Sequence, residues 1–173
     1  MEPLYTLLLV AIPTIIVFLS SFFSFKKIID SEHNRHKQEI LLNNQKLIVP
    51  IRLRAYERLI LFLERVSPEN LIVRVSQPQM KAKELEKALT DTIRAEFDHN
   101  LSQQLYVSSE AWEAVKSARL NMINIITSAM DEISPDSPGI ILSRKILVKL
   151  VEHEVNPVTP AIDFLKKEVN MIF

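Results

Sequence analysis

Apolar and polar positions divide the chain into three stretches. From Leu4 to Phe25 there is no charged residue, and 14 of these 22 positions are Leu, Ile, Val or Phe. As a helix the run measures roughly 33 Å at about 1.5 Å per residue, against a hydrocarbon core of about 30 Å. Each central Leu, Ile, Val or Phe favours insertion by roughly 0.3–0.6 kcal/mol. Pro13 removes one helical hydrogen bond, which membrane helices tolerate, and hydroxyls such as Thr14 and Ser21 can bond to the preceding turn. The pattern predicts a transmembrane anchor over residues 1–25, with Leu4 to Phe25 in the bilayer.

A cleaved signal would need a positive leading segment and a shorter apolar run ending in small residues. Here Glu2 leads with no Lys or Arg, and the run ends on Phe22, Phe23 and Phe25 before Lys26 and Lys27. Lys26, Lys27, Arg35 and Lys37 then mark the cytoplasmic flank, which predicts the N-terminus outside and the rest of the chain inside. Ser20 and Ser24 form a small-xxx-small pair that could seat a second copy as a homo-oligomer.

The second stretch is polar. Asp30 to Glu39 contains no apolar residue, and after Pro13 no Gly or Pro occurs before Pro50. Residues 26–49 therefore read as a polar juxtamembrane stalk that continues the helix, from about Pro3 to near Leu47, with a flexible linker as the competing reading. Pro50 is expected to break the run.

The third stretch, 50–173, has helical periodicity throughout. Ala55, Leu59, Phe62, Leu63 and Val66 fall on one face, with Arg54, Arg58 and Arg65 outside. Unbroken apolar character over Leu59–Leu63 predicts cover on more than one side. Ser67-Pro68-Glu69 offers a capping hydroxyl, a first-turn proline and a first-turn acid. The following Leu71–Val75 favours a short helix over an extended segment. Leu85, Leu89, Ile93, Phe97, Leu101 and Leu105 mark a helix over Ala82–Leu105 whose stripe winds around the axis. Another begins after Ser109 with Trp112, Val115, Met122, Ile126, Ala129 and Ile133 inward, and Arg119 interrupts its seam. Ser134 to Gly139 is a turn-rich loop. Helices then follow over Ile140–Glu154 and from Thr159, the last with Phe164, Leu165, Val169 and Ile172 inward. The expected fold class is all-α: an N-terminal transmembrane helix continuing into a cytoplasmic helical bundle.

Composition narrows the chemistry. Gly139 is the single glycine, so glycine-rich phosphate loops and dinucleotide fingerprints are excluded. With no cysteine there are no disulfides, thiolate metal sites or cysteine nucleophiles. The 21 basic and 21 acidic residues cancel, which argues against nucleic-acid binding. Residues 26–58 hold eight basic and four acidic residues, whereas 67–136 hold seven and eleven. A basic membrane-proximal part suits an anionic leaflet, at about 1 kcal/mol per well-placed cation; simple solvation of helix faces explains the same charges.

Four candidate constellations fall short of a site. Glu96 and His99 match the carboxylate–histidine step of di-iron bundles, but no second Glu-x-x-His exists to complete one. His33 and His36, with Glu32 and Glu39 nearby, supply at most a weak chelate on an exposed helix. His153 between Glu152 and Glu154 lacks a shared face, because adjacent helical residues point apart. Trp112 suits a core better than a stacking platform. No catalytic, cofactor-binding or metal residue is assigned, and no enzymatic activity is expected.

The stretch Arg52-Leu-Arg-Ala-Tyr-Glu-Arg-Leu-Ile-Leu-Phe-Leu-Glu-Arg-Val-Ser-Pro-Glu-Asn-Leu-Ile-Val-Arg-Val-Ser-Gln-Pro78 resembles an uncharacterised family of single-pass inner-membrane proteins from Bacteroidota. The resemblance covers most of the chain and implies a bacterial inner-membrane location, with no activity to transfer. In outline the layout is also similar to stalk subunits of rotary ATPases, but prolines at 50, 68, 78, 135, 138, 157 and 160 argue against their long coiled coils. An anchor, a helical domain and segregated charge predict a membrane-anchored adaptor that binds a protein partner. The alternative is an accessory subunit of a larger integral-membrane complex, held through its transmembrane helix.

Overall fold

The computed structural model describes residues 2–152 and 156–172; the side chains of 2–17, 24, 28–38, 40–42, 44 and 172 lie outside that description. Its helices are α1 (Glu2–Val66), α2 (Pro68–Val75), α3 (Ala82–Asp98), α4 (Ser109–Met130), α5 (Gly139–Glu152) and α6 (Thr159–Ile172), with a 3₁₀ turn at Leu101–Leu105. No strand occurs among the described residues, so the class is all-α.

Residues 1–49 and 50–173 form two separate units. In the first, Phe18, Leu19, Phe22, Phe23 and Phe25 are exposed, the least of them at 47%. Among the described residues no helix is long and apolar enough to cross a membrane. Most of the expected span, Leu4–Val17, lies outside the described side chains, as do Ser24, Glu32, His33 and His36.

The expected break at Pro50 does not occur, because α1 runs through it. A proline there deprives the Lys46 carbonyl of its helical N–H and disfavours the helical conformation of Val49. Residues 45–50 are exposed, so water can serve that carbonyl.

In the second unit the last turns of α1 supply core. Ala55, Tyr56, Leu59, Phe62, Leu63 and Val66 are buried, while Leu61 is 61% exposed, so cover over Leu59–Leu63 is less complete than the sequence suggests. The buried residues join Leu71 of α2, the Leu85–Leu89–Ile93–Phe97 stripe of α3, and Trp112, Met122 and Ile126 of α4. Phe97 lies at the centre, edge-on to Phe62 at 5.9 Å and stacked on Trp112 at 5.2 Å. Offset and edge contacts of this kind add about 0.5–1.5 kcal/mol each beyond the area they bury. α4 touches α3, α5 and α6, and α2 lies against α3 and α5.

Three local expectations need correction. α3 stops at Asp98 instead of reaching Leu105. The Asn100 amide donates to the Glu96 carbonyl at 2.8 Å, taking the place of its own backbone N–H, which goes to Phe97 O. An asparagine that satisfies the backbone locally ends a helix in this way. The stripe then fails, leaving Leu101 and Leu105 at 41% and 78% exposure. Ser67 precedes α2 but makes no side-chain cap; Pro68, in the first turn, needs no donor bond. On α6, Phe164 faces outward at 39% exposure, and Ala161, Ile162 and Leu165 form its buried line.

The start of α3 is sealed by the loop before α5. The Ala82 and Lys83 N–H groups donate to the Ser137 and Pro135 carbonyls at 2.7 and 3.2 Å, and Gly139 N–H donates to Met80 O at 2.7 Å. The Glu84 carboxylate accepts from Lys81 N–H at 3.0 Å. Helical N–H groups that would otherwise be orphaned thus find acceptors across the unit.

Candidate interaction surface

α5 carries apolar side chains on two sides. Leu142, Ser143, Ile146 and Leu150 are buried against the core. On the other side Ile140, Ile141, Leu147, Val148 and Val151 are exposed, Val151 at 77%. At 3.6 residues per turn the exposed five fall within an arc of about 120°, and Arg144 lies between Val151 and Val148 inside it. A helix apolar on both sides is ordinarily covered on both. This one is covered on one.

The charges around the arc are unevenly spent. Lys145 and Lys149 both reach Glu132 at 2.5 Å. Their hydrogen bonds pull the Glu132 carboxyl down to about 2. The same contact raises Lys145. Arg144 is exposed and makes no ion pair or hydrogen bond among the described residues.

Beside the first turn of α5 lies an open groove of about 520 Å³, lined by Gln77, Pro78, Gln79, Met80, Asp136 and Ile140 among others. Ile140 therefore belongs to both groove and arc. Gln79 sits at φ 73°, a left-handed conformation that costs a non-glycine residue about 1 kcal/mol or more. Lys81 Nζ meets Asp136 at 2.6 Å across the loops. That hydrogen bond lowers the aspartate and raises the lysine. Both groups are solvated, so the pair positions the loops more than it stabilises them.

A second concavity, about 340 Å³, is lined by Ser108, Glu110, Phe164, Lys167, Glu168 and Met171. Beside its Glu168 the Tyr56 hydroxyl is buried, with no hydrogen bond of good geometry among the described residues. Burial raises its pKa, and the neighbouring Glu168 carboxylate raises it further. A phenol held protonated in this way is no nucleophile near neutral pH; it fits a packing role.

The constellations singled out in the sequence are used structurally where they are described. Glu96 accepts from Arg65 at 2.7 Å and from Arg74 at 3.3 Å, tying α1 and α2 to α3. The His99 carbonyl accepts from Arg58 at 3.4 Å. No cluster of three or more His, Cys, Asp or Glu suited to a metal ion exists among the described residues. Trp112 is core. His153 and Glu154 lie outside the described residues. The outer face of α5 was not read from the sequence, although a signal existed: Ile140–Leu142, Ile146–Val148 and Leu150–Val151 are too many apolar positions for a one-sided helix.

A family model described as "Family of unknown function (DUF7935)" matches residues 2–172. The chain belongs to this family. DUF7935 thus takes in α1 to α6 as described, so the α5 face lies within the matched region. No curated protein and no solved structure matches the chain.

Proposed function

We propose that this protein is a non-enzymatic adaptor of the bacterial inner membrane, anchored by a single span over Leu4–Phe25, that binds a protein partner through the outer face of α5. In this reading the N-terminus lies outside and residues 50–173 lie in the cytoplasm. The observation that carries it is the arc of Ile140, Ile141, Leu147, Val148 and Val151, five exposed apolar side chains around Arg144 on a helix whose other side is buried in the core. Exposed Phe18, Leu19, Phe22, Phe23 and Phe25, followed by exposed Lys26 and Lys27, support the anchor, since lipid is the medium in which such a run is stable. The bacterial setting in this reading rests on the resemblance of Arg52–Pro78 to single-pass proteins from Bacteroidota.

Photo-crosslinking in cells tests the reading. A photoreactive residue at Val148 or Val151 should give one dominant protein adduct, and the same residue at Glu113, on the exposed side of α4, should give none. Equal and diffuse labelling at all three sites would defeat it. A cysteine introduced at Asp163 should resist a membrane-impermeant reagent on intact cells; reaction there would reverse the orientation.

The exposed phenylalanines also favour a second reading, an accessory subunit whose span packs on other spans of a larger complex. Replacing residues 3–25 by an unrelated span separates the two. An adaptor keeps its partner, whereas an embedded subunit loses it.

A further inference from the structure

The α5 arc has one feature that an apolar docking face does not need: a guanidinium in its middle. By helical angle Arg144 is flanked by Val151 and Ile140 on one side and by Val148 and Ile141 on the other. The neighbouring lysines are already committed to Glu132. Arg144 has no partner among the described residues. Anything that covers Val148 and Val151 also removes water from Arg144, and a guanidinium stripped of water without a counter-charge is strongly unfavourable.

We propose that the occupant of this face is an amphipathic helix of another protein that carries one carboxylate within its apolar stripe, placed to pair with Arg144. The proposal rests on the reading of the α5 face as a protein-docking surface and adds the chemistry of what docks. α5 has 14 residues, so a matching partner helix has about four turns. Arg presents a planar fork that takes a carboxylate through two parallel hydrogen bonds, which fixes register as well as sign.

Two other occupants fit less well. A lipid surface accepts basic helices whose cations sit at the border between polar and apolar faces, where they reach the headgroups. Arg144 is in the centre of the arc, so seating Val148 and Val151 in acyl chains would drag it down with them. A second copy of this chain would bring Arg144 towards its own equivalent when arc packs on arc. Of the described α5 residues the one carboxylate, Glu152, lies at the arc's margin and already acts on Lys145.

The test uses the full chain in lipid nanodiscs and helical peptides of about 18 residues, enough to cover four turns. The peptides share a Leu/Ile stripe and differ only at its central position, Glu, Gln or Lys, with affinities read by isothermal titration calorimetry. The Glu peptide should bind at least about tenfold more tightly than the Gln peptide, a difference of about 1.4 kcal/mol. The preference should vanish in Arg144→Gln, whose helical circular dichroism serves as the folding control. Arg144→Glu should reverse it towards the Lys peptide.

Equal binding of the three peptides would overturn the carboxylate while leaving the docking face standing. Absence of binding by every peptide would overturn the inference in one of three ways. Peptide-free dimerisation abolished by Val148→Asp makes the occupant a second copy. A blue shift of an environment-sensitive dye at Val148→Cys that depends on anionic lipid makes it the membrane. Neither response means that the face docks nothing, and the adaptor reading falls with it.

Discussion

Ser108 and Glu168, 60 positions apart, share a hydrogen bond of 2.9 Å in which the Ser108 hydroxyl donates to Oε2. The same oxygen of Ser108 accepts from Ala111 N–H at 2.9 Å, closing the N-terminus of α4. Glu168 in turn lies beside the buried hydroxyl of Tyr56 on α1. One serine side chain thus caps α4 and orients the α6 carboxylate that faces α1. The sequence points to Ser109 as the start of this helix; the capping role falls one residue earlier.

Ser108→Ala removes both bonds and leaves the α4 N-terminus uncapped. Loss of such a cap costs about 1 kcal/mol. With the released Glu168 the total should reach about 1–2 kcal/mol, or a fall in Tm of roughly 4–8 °C for a unit of this size. Glu168→Ala keeps the Ser108 cap and should cost less. Thermal denaturation followed by circular dichroism ranks the two variants; the reverse order would show that the cap is not what Ser108 contributes.

Gly139→Ala should destabilise the protein for a reason unrelated to glycine's conformational freedom, since no glycine here has positive φ. A Cβ at this position would sit 2.9 Å from Met80 O and 3.3 Å from a Leu85 methyl. Met80 O is also the acceptor of the Gly139 N–H at 2.7 Å, so it cannot retreat without stretching that bond. Overpacking against backbone costs about 1–3 kcal/mol. Urea denaturation measures it, and a variant as stable as wild type would mean that the α3 and α5 starts are loosely joined.

These cases mark where the sequence was legible. Helical periodicity located the α1, α3 and α4 core stripes because it depends only on which side of a helix is dry. Leu59, Leu89, Ile93 and Met122 are all buried as that pattern requires. The pattern is silent on events fixed by single contacts. Asn100 ends α3 through its own amide, Pro50 fails to end α1, and Gly139, just after the turn that Ser134–Ser137 does form, serves close approach. The α5 face was missed because an apolar residue reads as core by default, and only the fold decides which of two apolar sides is covered. Arg119 was visible as an interruption; its partner was not.

That partner is Phe97, whose ring centroid lies 4.1 Å from the Arg119 guanidinium carbon. Cation–π attraction contributes about 0.5–2 kcal/mol. Against it, Arg119 Nε is buried with no acceptor, at about 1–3 kcal/mol or more for a charged group. At the middle of these ranges the penalty exceeds the attraction. Arg119→Met, which keeps the stem and contacts the ring through sulfur, should therefore raise the urea midpoint by an amount equivalent to about 1 kcal/mol. Arg119→Ala also removes the penalty but opens a gap against Phe97, and should lower the midpoint. A loss in both variants would make the cation itself the stabilising element.

The Glu132 node gives a pH signature with a fixed sign. Its carboxyl titrates at about 2 when folded, against an ordinary value of 4.5, because Lys145 and Lys149 donate to it. A depressed acid contributes stability that is complete above the unfolded value and fades as pH falls through the folded one. Lys145, raised above 10.5 by the same contact, gives the mirror image: its share is present below 10.5 and lost as pH climbs past the folded value. The difference in urea midpoint between wild type and Glu132→Gln should thus be flat between these limits, closing below about pH 4.5 and again above 10.5. Salt should shrink the plateau, since Glu132 is exposed and Lys145 is partly so. A difference that persists unchanged at pH 2 would mean that Glu132 acts through packing and not through its charge.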